Sequence, residues 1–108
     1  LNAGLQLYWL RHTRPEVFAR IRWSLHLPQY VAFLLTGQRF SDFTSIGCHT
    51  ALWDYGRRRY HDWVLREGLA PLLAPIGGQP VAATVAGVPV GGGLHDSSAV
   101  IMAYLARC

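Results

Sequence analysis

Val88-Pro89-Val90-Gly91-Gly92-Gly93-Leu94-His95-Asp96-Ser97-Ser98-Ala99-Val100-Ile101-Met102-Ala103-Tyr104 is the stretch whose reading decides the fold. Its first three residues read as a buried strand. The three glycines read as a turn with no side chains in the way of an approaching ligand, and the remainder as a helix that opens with His95, Asp96 and Ser97. A carboxylate therefore stands at a strand-to-helix corner. In α/β sheets ligands bind outside the carboxyl ends of strands, so the stretch predicts an α/β fold with open space in front of Asp96.

Working outward, residues 81–85 and 88–90 form two short β-rich runs around Ala86-Gly87, and Gly77-Gly78-Gln79-Pro80 reads as a turn. Residues 69–76, broken by Pro71 and Pro75, read as an irregular apolar linker. Gly68 ends a helix over 60–67, and Gly56 breaks a brief strand or extended turn at 51–54. Ser41-Asp42 is a cap for 43–50, a segment of poor intrinsic helicity that packing would have to hold. Pro28 opens a helix through Thr36 that Gly37 closes, with Tyr30, Phe33 and Leu34 on one face. Before it, residues 23–27 alternate as a strand.

Pro15-Glu16 begins a short helix whose buried side is Val17, Phe18 and Ile21. In the first helix Leu5, Tyr8, Trp9 and His12 fall on one face, widened by Leu7 and Leu10. The last helix runs from about residue 97 to 107. Short strands with several packed helices are the expected architecture.

The 108 residues are 51% hydrophobic, enough for one domain with a real core. No apolar run reaches membrane-spanning length, and the first residues carry no secretory pattern, so neither a membrane nor export is expected. The chain begins at Leu1 without Met, and its mean hydropathy is +0.16. That combination predicts a piece of a longer protein whose exposed faces are normally covered. All 10 basic residues are Arg, giving a net charge of +4. This permits an anionic partner without selecting one. Cys48 and Cys108 have no metal or redox spacing and read as reduced thiols of a cytoplasmic protein.

Several constellations have a plainer reading. The glycines cannot form a phosphate loop, which needs a Lys, and Asp96 would repel the anion. A dinucleotide fingerprint fails because its third small residue falls at Asp96. His95-Asp96-Ser97 lists the parts of a hydrolytic triad, but adjacent helical residues diverge by roughly 100°. Phe43-Thr44-Ser45-Ile46-Gly47 lacks the first Gly of a nucleophile elbow. Arg57-Arg58-Arg59 among aromatics could touch nucleic acid, yet a solvated turn is the better reading, so no nucleic-acid partner is expected. Cys48-His49 resembles no zinc site, and no metal ligand is assigned.

Asp96 itself suits either of two compatible roles. As a helix cap it satisfies orphan amides. As a proton acceptor for an attacking hydroxyl it gains from the positive end of the helix, which favours negative charge there. In phosphoryl transfer that demand is modest, because orientation matters more than basicity.

The residues also carry a resemblance. Leu27-Pro28-Gln29-Tyr30-Val31-Ala32-Phe33-Leu34-Leu35-Thr36-Gly37, Ser41-Asp42-Phe43-Thr44-Ser45, Leu52-Trp53-Asp54, the run from residue 63 to 69, and Gly92-Gly93-Leu94-His95-Asp96-Ser97-Ser98-Ala99 follow the order and spacing of the FGGY carbohydrate kinases. The chain is similar to the later part of that family's N-terminal lobe, especially in members like rhamnulokinase, fuculokinase and xylulokinase. Each element alone is weak, and their order is specific.

This resemblance implies an actin-like, ribonuclease H-like fold of two lobes, with ATP and Mg2+ in the cleft between them and a sugar on the first lobe. It implies that Asp96 is the catalytic base and that His95 and Ser97 contact the substrate. The remaining lobe of the same protein is then a partner, and a homodimer is compatible with the reading. Two departures stand out. The family's N-terminal phosphate loop and its whole second lobe have no counterpart in these residues, so the stretch alone is expected to be inactive. Residues 79–90 are also shorter than in many relatives, which bears on the choice of sugar.

The expected function is ATP-dependent phosphorylation of a ketose, polyol or deoxy sugar as part of a larger carbohydrate kinase. The alternative is a degenerate, non-catalytic kinase lobe used for assembly or ligand sensing.

Overall fold

Prolines, glycines and short polar side chains divide this chain into elements, and in the computed structural model, which describes residues 2–77 and 83–108, most of those divisions fall where chemistry puts them. The side chain of Asn2 accepts from the amides of Gly4 and Leu5 and so caps α1 (Ala3–Thr13). Pro15 opens α2 (Pro15–Phe18), and Pro28 sits in the first turn of α3 (Leu27–Thr36). Gly37 ends α3 with a left-handed φ of 72°. Asp42 caps α4 (Phe43–Ile46), accepting from the Thr44 amide at 2.8 Å.

Next come β1 (Trp53–Asp54) and β2 (Arg59–Tyr60), an antiparallel pair, and α5 (Asp62–Arg66), followed by Gly68 at φ 64°. A 3-10 turn covers Ala70–Leu72. The hairpin of β3 (Ala83–Val85) and β4 (Val88–Val90) turns at Ala86 and Gly87, both with positive φ. The chain closes with α6 (Asp96–Leu105). Of the expected turn at 77–80 only Gly77, with φ 105°, is described; residues 78–80, and residues 81 and 82 of the first β-rich run, lie outside the described residues.

Leu7, Ile46, Leu52, Val64, Leu69 and Leu73 form the core, with Phe18, Ile21, Trp53, Tyr60 and Trp63 packed around it. The rings of Phe43, Trp53 and Tyr60 stack edge to face at 5.3 and 5.0 Å. Ile46, Leu52, Val64 and Leu69 have essentially no exposed surface.

The structure corrects several expectations. α1 buries Gly4 and Leu7, while Leu5, Tyr8 and Trp9 stay exposed. The reason is a close approach: the Gly4 amide donates to the Thr50 carbonyl at 3.1 Å, and a Cβ there would lie 2.2 Å from that oxygen. α3 likewise buries Gln29 and Ala32, not Tyr30 and Leu34. No residue of α2 is buried, and Val17 is exposed.

The helix expected over 43–50 stops at Ile46, because His49 and Ala51 adopt positive φ. The helix expected over 60–67 begins only at Asp62, since Tyr60 is paired with Trp53. Residues 23–27 make no strand beyond one parallel bridge, Ser24 to Leu73. The supposed linker is structural: Leu69, Leu73 and Ala74 are buried, and Ile76 bridges to Ser41.

Helices and short strands are mixed as expected. The described strands nevertheless form only two antiparallel pairs, and β4 is mostly exposed instead of buried. The corner before α6 is thus the end of a two-stranded ribbon, not of a broad parallel sheet. Among the described residues no helix is long and apolar enough to cross a membrane.

Candidate functional site

The corner is built by α3 and α4 reaching to the chain before α6. Gln29, in the first turn of α3, is buried, and its Nε2 donates to the carbonyls of Gly92 and Gly93 at 3.3 and 2.9 Å. Gly93 has φ 80°, and a Cβ on it would meet the Pro28 carbonyl at 2.8 Å. One on Gly92 would meet the Phe40 ring at 2.3 Å. The glycines are therefore needed for close seating of the turn on α3 and Phe40. The expected open space in front of Asp96 does not come from them.

From α4, the Thr44 Oγ1 accepts the backbone amide of His95 at 2.9 Å, and its hydroxyl donates to Asp42 Oδ1. His95 is the N-cap residue of α6, with extended backbone, and Asp96 is the first helical residue. The expected cap is thus displaced by one position. Asp96 still contributes to capping, because its Oδ1 accepts from the Ser97 amide at 2.7 Å.

His95, Asp96 and Ser97 do meet. His95 Nδ1 lies 2.9 Å from Asp96 Oδ1, and the Ser97 hydroxyl lies 3.3 Å from the same oxygen. His95 escapes the divergence expected of helical neighbours because it stands outside the helix, where the step of roughly 100° does not apply, and Ser97 is reached because Asp96 Oδ1 turns back onto its amide and hydroxyl. No hydrolytic triad results. Both groups address one carboxylate oxygen, and the Ser97 hydroxyl has the carboxylate as its partner, not the imidazole. The Ser97 amide is 3.3 Å from His95 Nδ1 but closer to Asp96. That ordering fits an Nδ1–H donating to the carboxylate. The Asp96 side chain is 90% exposed, and its Oδ2 takes part in none of these contacts. It is free to accept a hydrogen bond from an incoming group.

His26 stands at the N-cap of α3, and its Nδ1 is buried without a hydrogen-bond partner among the described residues. Burial, and then the positive charge of a protonated His95, push its pKa below the ordinary imidazole range. An open hollow of about 640 Å³ lies beside it, between α1 and residues 21–27. Arg39 stacks over Trp23 at its rim, 4.8 Å from the ring centre. Asp96 does not line this hollow.

Arg57 and Arg59 pair with Asp62 at 3.3 and 2.6 Å, and Arg57 also with Asp54, so two of the three arginines are paired with nearby acids. No three His, Cys, Asp or Glu side chains gather as a metal site among the described residues. Cys48 and Cys108 are both free thiols.

Sequence reasoning missed Gln29 and Thr44 as parts of the corner. The signal for Gln29 was present, a polar residue three positions before Ala32 in an otherwise apolar helix. Thr44 gave none beyond its place two residues after a capping Asp.

Known proteins resemble the chain across this arrangement. A crystal structure of a carbohydrate kinase from Novosphingobium aromaticivorans superposes with a TM-score of 0.84 and 35% sequence identity, covering 96% of this chain and 25% of that one. A rhamnulokinase of Halalkalibacterium halodurans is 32% identical over 59 residues, 49% of this chain and 13% of the relative. The chain thus spans a quarter or less of the length of either protein. No protein-family model matches it. The likeness to carbohydrate kinases carried by the motifs extends over nearly the whole fold.

Proposed function

We propose that this chain, FGGY-like in its motifs and matched in fold to a carbohydrate kinase, is the later part of such an enzyme's N-terminal lobe. In this reading the longer protein phosphorylates a sugar hydroxyl, on a ketose, polyol or deoxy sugar, with Asp96 as the base. The observation that carries the reading is the Asp96 carboxylate. It is exposed at the first turn of α6, with one oxygen held by its neighbours and the other uncommitted.

Each residue has a part in the chemistry. An alcohol meeting Oδ2 would donate its hydrogen bond to the carboxylate and give up its proton there as its oxygen bonds to the transferred phosphoryl group and that group's bond to the departing ADP breaks. His95 Nδ1 and the Ser97 amide fix Oδ1, so the carboxylate presents Oδ2 without a search over rotamers. His95 Nε2 and the Ser97 hydroxyl are available to neighbouring hydroxyls of a sugar.

ATP and Mg2+, implied by the resemblance, do not fit the residues of this stretch. The glycine turn gives its carbonyls to Gln29 and leads straight to the Asp96 carboxylate at the start of α6, which would repel a phosphate there. Asp96 belongs to no group of three His, Cys, Asp or Glu side chains that could hold a metal among the described residues. Both groups would be held by parts of the kinase outside the matched quarter.

The test uses the complete protein that carries these residues. ADP release from Mg-ATP, measured against a panel of ketoses, polyols and deoxy sugars, identifies the acceptor. Asp96→Asn is then expected to lose at least about 100-fold in turnover, with sugar affinity by calorimetry unchanged. Turnover by Asp96→Asn at the wild-type rate ends this assignment, and no sugar-dependent ADP release at all favours the non-catalytic lobe.

A further inference from the structure

We propose that Gln29 and Thr44 are positioning residues that together hold Asp96 in its working orientation, an inference that rests on Asp96 being the base. Helix packing does not hold it. No residue of α6 is buried, and Val100, Ile101, Met102, Tyr104 and Leu105 are all exposed. Packing of the helix therefore cannot set the direction of its first turn. Polar contacts to the backbone just before it must do so.

Gln29 supplies the first of these. At 1% exposure its primary amide lies in the buried stripe of an apolar helix, where Leu or Met would fill similar space without polar atoms to desolvate. Its Oε1 has no partner among the described residues, which makes the amide a costly choice for packing alone. What an aliphatic side chain cannot do is donate to two successive carbonyls. Nε2 does so at Gly92 and Gly93, and this fixes the peptide plane between them.

Thr44 supplies the second. The His95 amide precedes the helical ladder, so it has no intrahelical acceptor. Thr44 Oγ1 takes it at 2.9 Å, and because the Thr44 hydrogen is directed at Asp42, a lone pair is left for His95. The two anchors bracket residues 92–95 from two different helices, and Asp96 follows at once. With the turn pinned at both ends and closed to any Cβ at Gly92 and Gly93, the backbone that carries the carboxylate is held in one path.

The experiment is carried out on the complete protein with Gln29→Met, Thr44→Val, Thr44→Ser and Asp96→Asn, and with the first two combined with Asp96→Asn. Gln29→Met and Thr44→Val are each expected to lower kcat by about 10-fold or more, with the sugar KM within about twofold. Thr44→Ser, which keeps the hydroxyl, should recover most of the rate. In the Asp96→Asn background neither change should lower the residual rate further, because residues acting through one group are not additive.

Losses of equal size in both backgrounds, or Thr44→Ser as slow as Thr44→Val, would overturn the proposal. A full rate for Gln29→Met and Thr44→Val beside a slow Asp96→Asn sinks the positioning role alone. A full rate for Asp96→Asn sinks the base assignment and this inference with it. Should Gln29→Met fail to fold, the Thr44 pair decides. If Thr44→Val fails as well, the contacts serve folding and the inference is wrong.

Discussion

Residues 2–77 and residues 83–108 of this chain are held by different forces. The first part closes on aliphatic side chains from α1, α4, α5 and the segment around Leu69 and Leu73. The second part buries no residue of α6, keeps β4 largely exposed, and is fastened to the first through α3 and a few polar contacts. The candidate site lies in the second part, at its point of attachment. A group that must meet a substrate needs an open face, and polar contacts to backbone can orient it without walling it in.

The contrast is broken most severely in the core. Leu52→Ala is expected to lower stability by about 2 to 5 kcal/mol, since it deletes atoms from a side chain with no exposed surface. Ile101→Ala, in exposed α6, should change it by less than about 0.5 kcal/mol. Urea unfolding of both variants checks the pair, and equal losses would mean that α6 is as firmly packed as the core.

His26 sharpens the comparison at the junction. Its pKa is lowered in the folded protein by burial and then by His95, so between the ordinary value and the folded one the unfolded chain binds more protons. Stability should therefore fall as pH drops below about 6.5 and go on falling until the folded imidazole also protonates. His26→Gln should flatten that slope. Urea midpoints from about pH 7.5 to about pH 5.5 measure it, and parallel curves for wild type and variant would remove His26 as the cause.

The smallest effect is expected at the hairpin turn, where Asp62 pairs with Arg57 and Arg59 on the surface. Asp62→Ala should cost less than about 1 kcal/mol, and still less in high salt. A larger loss in thermal unfolding would show that β1 and β2 depend on their charges.

Punctuation was legible in the sequence, and burial was not. Pro15, Pro28, Gly37, Asp42 and Gly68 act locally, through φ restriction or a capping oxygen, and each ends or begins an element as read. The buried faces of α1 and α3 were misread because apolar residues lie on several sides of each helix. The deciding contacts, Gly4 to Thr50 and Gln29 to the glycine turn, span tens of residues. The Pro-containing stretch 69–76 looked like a linker because its two bridges pair with residues far upstream. At the site, His95, Asp96 and Ser97 were legible as a helix start. Their convergence on one oxygen was not, since it depends on His95 standing outside the helix.

Ser24 donates its amide to the Leu72 carbonyl at 2.8 Å, and Ser41 donates to that of Pro75 at 2.7 Å. Both flanks of α3 are thus stitched to a single short stretch made some thirty to fifty residues later. During synthesis from the N-terminus, these two ties on the flanks of α3 therefore form only after that stretch has left the ribosome. The seat for the glycine turn is finished only just before the turn itself is made.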